Sequence, residues 1–157
     1  TVSETKMLIK NWVFVSPKTN SPDKIRLKQL QDTDIPGLFA QLETLSADWE
    51  PDERAELQHL KTHFYQNLLP AQREVMQTLN TFDDYNNAML VFKAQSLVEE
   101  EDDPVMLVTT SLIKEINDFV VQFSRKAEDV KRQAKKSMNA YKLLIIFIGL
   151  SIGLGTL

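Results

Sequence analysis

Apolar residues recur along this chain at intervals of three and four, with almost no alternation of period two, so the pattern predicts helices from end to end. Over residues 1–15, TVSETKMLIKNWVFV, Val2, Met7 or Leu8, Trp12 and Val15 fall near one helical face. No capping residue precedes them, so this first helix is expected to be entered from upstream. SPKTNSPDK then breaks the pattern with two prolines and turn-forming Ser and Asn. Ser21 before Pro22 is an N-cap followed by a first-position proline, and a second helix is predicted to start there with Ile25, Leu27 and Leu30 on its inner face.

Pro36 in TDIPG predicts a bend, after which the same stripe resumes with Leu38, Phe39, Leu42, Leu45 and Trp49. DWEPDERAEL repeats the start signal, with Glu50 or Asp48 as cap and Pro51 as first residue of a third helix. Its stripe of Leu57, Leu60, Phe64 and Leu68 continues past a kink at Pro70 through Val75, Leu79, Phe82, Tyr85, Met89 and Phe92. The acidic run in VEEEDDP is a solvated stop. A fourth helix follows, in which Thr109, Ile113, Ile116, Val120, Phe123, Ala127, Val130, Ala134, Ser137 and Tyr141 keep an a/d heptad seam that thins toward Ala and Ser. Together these elements predict an all-α, elongated up-down four-helix bundle over 1–142, its third and fourth helices long.

Residues 143–157, LLIIFIGLSIGLGTL, carry no charge, and 15 residues fall short of the roughly 20 that a full membrane span needs. The last helix is therefore expected to continue into a truncated transmembrane helix, with Tyr141 and Lys142 at the interface. Composition adds that the chain has no cysteine, which excludes disulfides and thiolate metal sites. Charge is uneven: the net −4 divides into +5 over 125–142 and −9 over the first 124 residues. An acidic body is a poor match for phosphate backbones, so a nucleic-acid partner is not expected.

Chemistry-bearing motifs are sparse. His59 and His63 stand at i, i+4 with Glu56 one turn earlier, but no HExxH and no third ligand accompany them, and solvated helix histidines are the expectation. The acidic run 99–103 lacks the alternating ligands and glycine of a calcium loop. No phosphate loop, nucleophile elbow or kinase signature is present, so neither enzyme activity, cofactor nor metal is expected of this segment. Polar residues do crowd the first helix, and bundles build ligand sites from facing helices, which makes Lys6, Lys10, Asn11, Trp12 and, after the loop, Arg26 the candidates for a ligand pocket. The competing expectation is that Trp12 and Trp49 are core anchors and the charges are solvated.

The order of elements, with SETKMLIKNWVFV, SPDKIRLKQL, LETLSADW and FDDYNNAM, resembles the four-helix-bundle extracytoplasmic sensory domains of bacterial membrane receptors, the class of sensor histidine kinases and methyl-accepting chemotaxis receptors. The resemblance implies a sensor domain facing the periplasm or cell exterior from the inner membrane. It also implies a homodimer, an unknown small-molecule ligand or periplasmic protein as partner, and a cytoplasmic output module beyond the second transmembrane helix. It transfers no ligand residue, and the polar box of nitrate sensors is absent. Signal would pass through the last helix along Val130, Ala134, Ser137 and Tyr141 as a slide or rotation. The basic segment 125–142 favours a different reading, a cytosolic, SNARE-like fusion or tethering protein held by its tail. Domains of this length cross membranes largely regardless of charge, however, and the seam has no central polar layer of the kind that sets register in such bundles.

Overall fold

The computed structural model describes residues 1–15 and 17–129, and every regular element among them is helical. Helix α1 spans Val2–Phe14; α2 is Pro22–Gln29 and α3 Ile35–Leu45; α4 is Pro51–His63 and α5 Leu69–Thr78; α6 is Ala88–Val98 and α7 Pro104–Asp129. Between α2 and α3 lies a π-turn, Leu30–Asp34, and between α4 and α5 another, Phe64–Leu68. The pairs α2–α3 and α4–α5 are therefore continuous rods.

Both π-turns precede an X-Pro pair, and proline is their cause. Pro36 and Pro70 lack the N–H that would complete the regular ladder, and their rings crowd the preceding turn. The helix widens instead, Ile35 N–H reaching the carbonyl of Leu30 and Leu69 N–H that of Phe64. The bends expected at the two prolines take this form. The expected starts also hold. Ser21 Oγ accepts from the Lys24 amide at 3.4 Å before Pro22, and Pro51 opens α4 with Glu50 at the cap position and no side-chain bond.

The third helix does not run on to Phe92. The rod that starts at Pro51 ends at Thr78, and Thr81 with Asp84 forms a capping box that opens a short 3-10 turn, Phe82–Asn86. Asn87 then caps α6, its side chain accepting from the amides of Met89 and Leu90 at 3.1 and 3.3 Å. Five helical rods result among the described residues, where periodicity predicts four helices. Asn87→Ala is expected to destabilise the fold by about 1 kcal/mol in urea unfolding, because α6 then starts with two uncapped amides.

The core is one cluster that includes Leu8, Ile9, Leu27, Leu30, Phe39, Leu42, Leu57, Leu60, Phe64, Leu68, Val75, Leu112 and Ile116. On α1 the buried face is Val2, Thr5, Leu8, Ile9, Trp12 and Val13, so of the alternatives Met7 and Leu8 it is Leu8 that faces inward, while Val15, placed inside by periodicity, is outside. Ile25 is likewise exposed. The α7 seam is close to expectation, with Thr109, Ile116 and Phe123 buried and Ile113 and Val120 half-buried, although Leu112 and Phe119 are deeper than those last two. Helix α1 packs on α2, α5, α6 and α7, while α3 and α4 meet each other and α4 meets α7.

Two sets of contacts fix the direction of α7. His63 pairs with Glu115, and Lys126 with Asp52 and Glu53, so α7 runs antiparallel to the 51–78 rod. Near the start of that rod Trp49 stacks on Phe119 at 5.9 Å and meets Phe123 at 5.2 Å. A buried polar chain ties α1 to both rods farther along: Gln31 donates to Gln72 at 2.9 Å, and Gln72 to Thr5 at 3.0 Å. Thr5 Oγ1 donates in turn to the Val2 carbonyl at 2.7 Å, so each side chain in this chain is hydrogen-bonded, which favours one register of α1 over its neighbours.

Candidate functional site

The most unusual side chain is Lys24, which is 1% exposed. Starting α2 at Ser21–Pro22 puts Lys24 in its first turn, turned toward α1 and the 82–86 segment. Its Nζ donates to Tyr85 Oη at 2.7 Å and lies 4.6 Å from the Trp12 ring centre and 4.5 Å from that of Tyr85. Tyr85 Oη donates onward to the Trp12 carbonyl, and Trp12 Nε1 donates to the Leu79 carbonyl at 2.9 Å. Lys28, one turn on, sits 5.8 Å from the same Trp12 ring. Among the described residues no carboxylate pairs with Lys24 or Lys28. The neighbouring Asp23 instead accepts from Asn11 at 3.1 Å.

A buried cation without a counter-ion is costly, and two ring faces supply only part of what water gave. The first turn of a helix is also the positive end of its dipole. Desolvation, with Lys28 adding repulsion, lowers the Lys24 pKa to about 8. Burial, aided by the charge of Asp84, raises that of Tyr85 to about 12, so its hydroxyl keeps its proton at any physiological pH. Beside Tyr85 opens a cleft of about 270 Å³, walled by Val13, Phe14, Val15, Pro17, Phe82 and Asn86. The result is an open, mostly apolar cleft that shares one residue, Tyr85, with the surroundings of a buried amine.

The expected ligand residues are distributed differently. Trp12 is the centre of this arrangement and is 3% exposed, an anchor as well as a wall. Asn11 is occupied with Asp23. Lys6 pairs with Glu101 at 2.8 Å in the loop before α7, and Lys10 is exposed. Arg26 is held between Glu4 and Asp34, each at 2.7 Å, and the bond to Glu4 above all raises its pKa. A guanidinium claimed by two carboxylates is not available to clamp a third. None of the five lines the cleft, whereas Lys24 and Tyr85, absent from the expectation, hold the site together.

Of the two histidines, His59 is exposed as expected and His63 is not. His63 is buried, its Nδ1 lying 2.8 Å from Glu115 Oε2, and His59 Nε2 approaches the same oxygen at 3.5 Å. The carboxylate oxygen takes the point on which both rings converge. Among the described residues no group of three or more His, Cys, Asp and Glu is arranged to hold a metal ion. The acidic run 99–103 is a loop in which Asp103 accepts from the Glu100 amide at 2.7 Å, the solvated stop expected. Val130, Ala134, Ser137 and Tyr141 lie outside the described residues, as do most of the basic segment and the apolar stretch 143–157. No helix among the described residues is long and apolar enough to cross a membrane.

Comparison of the chain with protein-family models, with curated proteins and with solved structures returns no match in any of the three. The class of this protein is therefore argued from its own residues.

Proposed function

We propose that the chain is the extracytoplasmic ligand-sensing domain of a bacterial transmembrane signalling receptor. In this reading α1, the rods 22–45 and 51–78, and α7 form an up-down four-helix arrangement with α6 added at one end. Helix α7 continues through the basic heptad into a transmembrane helix, and two copies pair in the inner membrane with their bundles facing the periplasm. The observation that carries the reading is the buried, carboxylate-free Lys24 in its aromatic cage beside an open cleft. Burying such a group costs the fold more than its ring and hydroxyl contacts return, and strongly perturbed ionisable groups beside clefts are enriched at ligand sites.

Its position supports signalling as well. The cage is level with Leu79, at the far end of the 51–78 rod from the point where Lys126 of α7 meets Asp52. A rod of that length spans roughly 40 Å. Ligand would enter at one end and displacement leave at the other, through a helix that touches α1, α4, α5 and α6 along the way. A ligand that binds two arrangements of α1 and α7 unequally shifts the balance between them, and the shift is limited by that difference in affinity. The second reading, a tail-anchored cytosolic interaction protein, draws only on the basic segment 125–142.

Single cysteines at Val130, Ala134, Ser137 and Tyr141, oxidised in native membranes, test the paired rod. Disulfide-linked dimers are expected at these seam positions and to be several-fold weaker at the intervening positions. Equal crosslinking on every face would contradict it.

A further inference from the structure

We infer that Lys24 is a carbonyl-capturing amine, and that the corner bounded by Trp12, Tyr85 and Lys28 takes a small 2-oxo acid, the carbonyl carbon bonding to Lys24 Nζ and the carboxylate pairing with Lys28. This names the ligand class for the proposed sensor and rests on the reading of this end as the ligand end.

Lys24 is the one buried lysine among the described residues, and every other lysine is partly or fully exposed. A lysine is activated as a nucleophile by a desolvating pocket and by a second cation nearby, and both are present here. Lys28 lies against the same indole ring, and spacing of four on a helix puts the two amines on one face. The lowered pKa follows from that geometry and leaves a useful fraction of Lys24 as neutral amine near pH 7.5. Surface lysines are almost wholly protonated there. Lys28 has no carboxylate of its own among the described residues, which leaves it to pair with the one a 2-oxo acid carries.

The hydroxyl of Tyr85 completes the set. It touches Nζ at 2.7 Å, keeps its proton, and is connected to the Trp12 carbonyl, so it can protonate a carbonyl oxygen drawn to Nζ. In the addition, the nitrogen lone pair forms the C–N bond and the carbonyl π electrons move to oxygen, which takes a proton as nitrogen gives one up. The carbinolamine then expels its hydroxyl as water, and the nitrogen lone pair closes the C=N bond. Amine plus carbonyl gives imine plus water, with no change of oxidation state and no co-reactant. Lys24 does not itself line the cleft, which lies on the far side of Tyr85, so entry of the carbonyl requires the Tyr85 side chain to shift.

The test is reductive trapping on the full-length chain in detergent at pH 7.5, with pyruvate and sodium cyanoborohydride, read by peptide mass spectrometry. The adduct is expected on Lys24 at a level at least about tenfold above Lys10 and Lys18, reflecting its larger neutral-amine fraction. Lys24→Arg, shown to be folded by circular dichroism, should lose that adduct while surface labelling is unchanged. Lys28→Gln should cut trapping by pyruvate several-fold but leave trapping by acetaldehyde, which has no carboxylate, nearly unaltered. Labelling spread over lysines according to exposure, or an unlabelled Lys24, would overturn the inference. Equal loss with both carbonyls in Lys28→Gln would overturn the 2-oxo acid. The cysteine crosslinks along the seam need no ligand, so failure here leaves the sensor reading standing, and their failure leaves an adduct at Lys24 unexplained by sensing.

Discussion

Trp12→Ala is expected to lower the unfolding free energy by about 3–5 kcal/mol, the range for removing a buried aromatic side chain. Three losses coincide at this residue. The first is burial, since the indole is 3% exposed and its removal leaves a cavity where α1 meets α2, α5 and α6. The second is the Nε1 bond to the Leu79 carbonyl at 2.9 Å, which fixes α1 against the end of the long rod just where that rod stops. The third is the ring face under Lys24, without which a buried ammonium keeps only the ring and hydroxyl of Tyr85. Trp12→Phe separates these: it keeps an aromatic face and gives up the Nε1 bond, and should cost about 1–2 kcal/mol. A double-mutant cycle with Lys24→Met should show coupling of about 1 kcal/mol, the cation–π share. Urea unfolding of the unaltered protein, the three single variants and the Trp12→Ala/Lys24→Met double variant measures all of this. A Trp12→Ala cost below about 1.5 kcal/mol would mean that α1 is not anchored through this residue.

The second large effect is a pH dependence of stability with an unusual sign. Lys24 has a folded-state pKa of about 8, lower than its ordinary 10.5. Well below pH 8 both the folded and the unfolded chain hold its proton, so Lys24 adds no slope there. Between 8 and 10 the unfolded chain still holds a proton that the folded chain has released, and stability therefore rises with pH, by up to about 1.4 kcal/mol per unit. Over that interval the gain should approach ~2 kcal/mol, allowing for partial titration at its lower end. Tyr85 acts in the opposite direction above this window. Its hydroxyl ionises near 10.0 when unfolded but is held to about 12 in the fold, so stability falls again as pH climbs past 10. A maximum contribution near pH 10 is the signature of the pair. Lys24→Met removes the rising limb and leaves the falling one, and denaturation midpoints compared between the two proteins at pH 7.5, 8.5 and 9.5 check it. Parallel profiles would show that Lys24 titrates as a solvated lysine.

Much of the architecture is legible in the chain, and the exceptions have physical causes. Ser21–Pro22 and Glu50–Pro51 announce helix starts because proline ring geometry, and at Ser21 a capping hydroxyl, act locally, and the two helices begin there. Pro36 and Pro70 announce bends because a missing N–H is a local fact, although only the structure shows that a π-turn absorbs each one. The break after Leu79 is harder to read. Phe82, Tyr85, Met89 and Phe92 continue the helical spacing of Val75 and Leu79, yet Met89 is 83% and Phe92 73% exposed. Spacing tells which residues share a face but not whether anything covers it. The local signals that do mark this break are Thr81 with Asp84 and the cap Asn87, short polar motifs within an apolar run.

The site divides in the same way. Trp12 is legible as a candidate because an aromatic residue among polar ones on a bundle helix has two plausible roles, and it fills both. Lys24 is not, since a lysine in the first turn of a helix is ordinarily solvated, and its burial depends on Tyr85, 61 residues away. Arg26 shows the converse: it suits a ligand clamp by type, but Glu4 and Asp34 claim it within the fold. The histidines are decided by Glu115, 52 residues beyond His63, a partner no local spacing suggests.

The central claim, that this bundle faces outward from a membrane in which its last helix is embedded, is tested most directly by cysteine accessibility in intact bacteria. The chain contains no cysteine, so Thr19→Cys in the exposed turn before α2 places a single thiol in this segment. With the chain expressed within its full-length protein, freed of any cysteines elsewhere, a membrane-impermeant maleimide should label that thiol fully in unbroken cells, and the labelled protein should sediment with the inner membrane. Labelling that appears only after the cells are permeabilised would place the bundle in the cytosol and contradict the account.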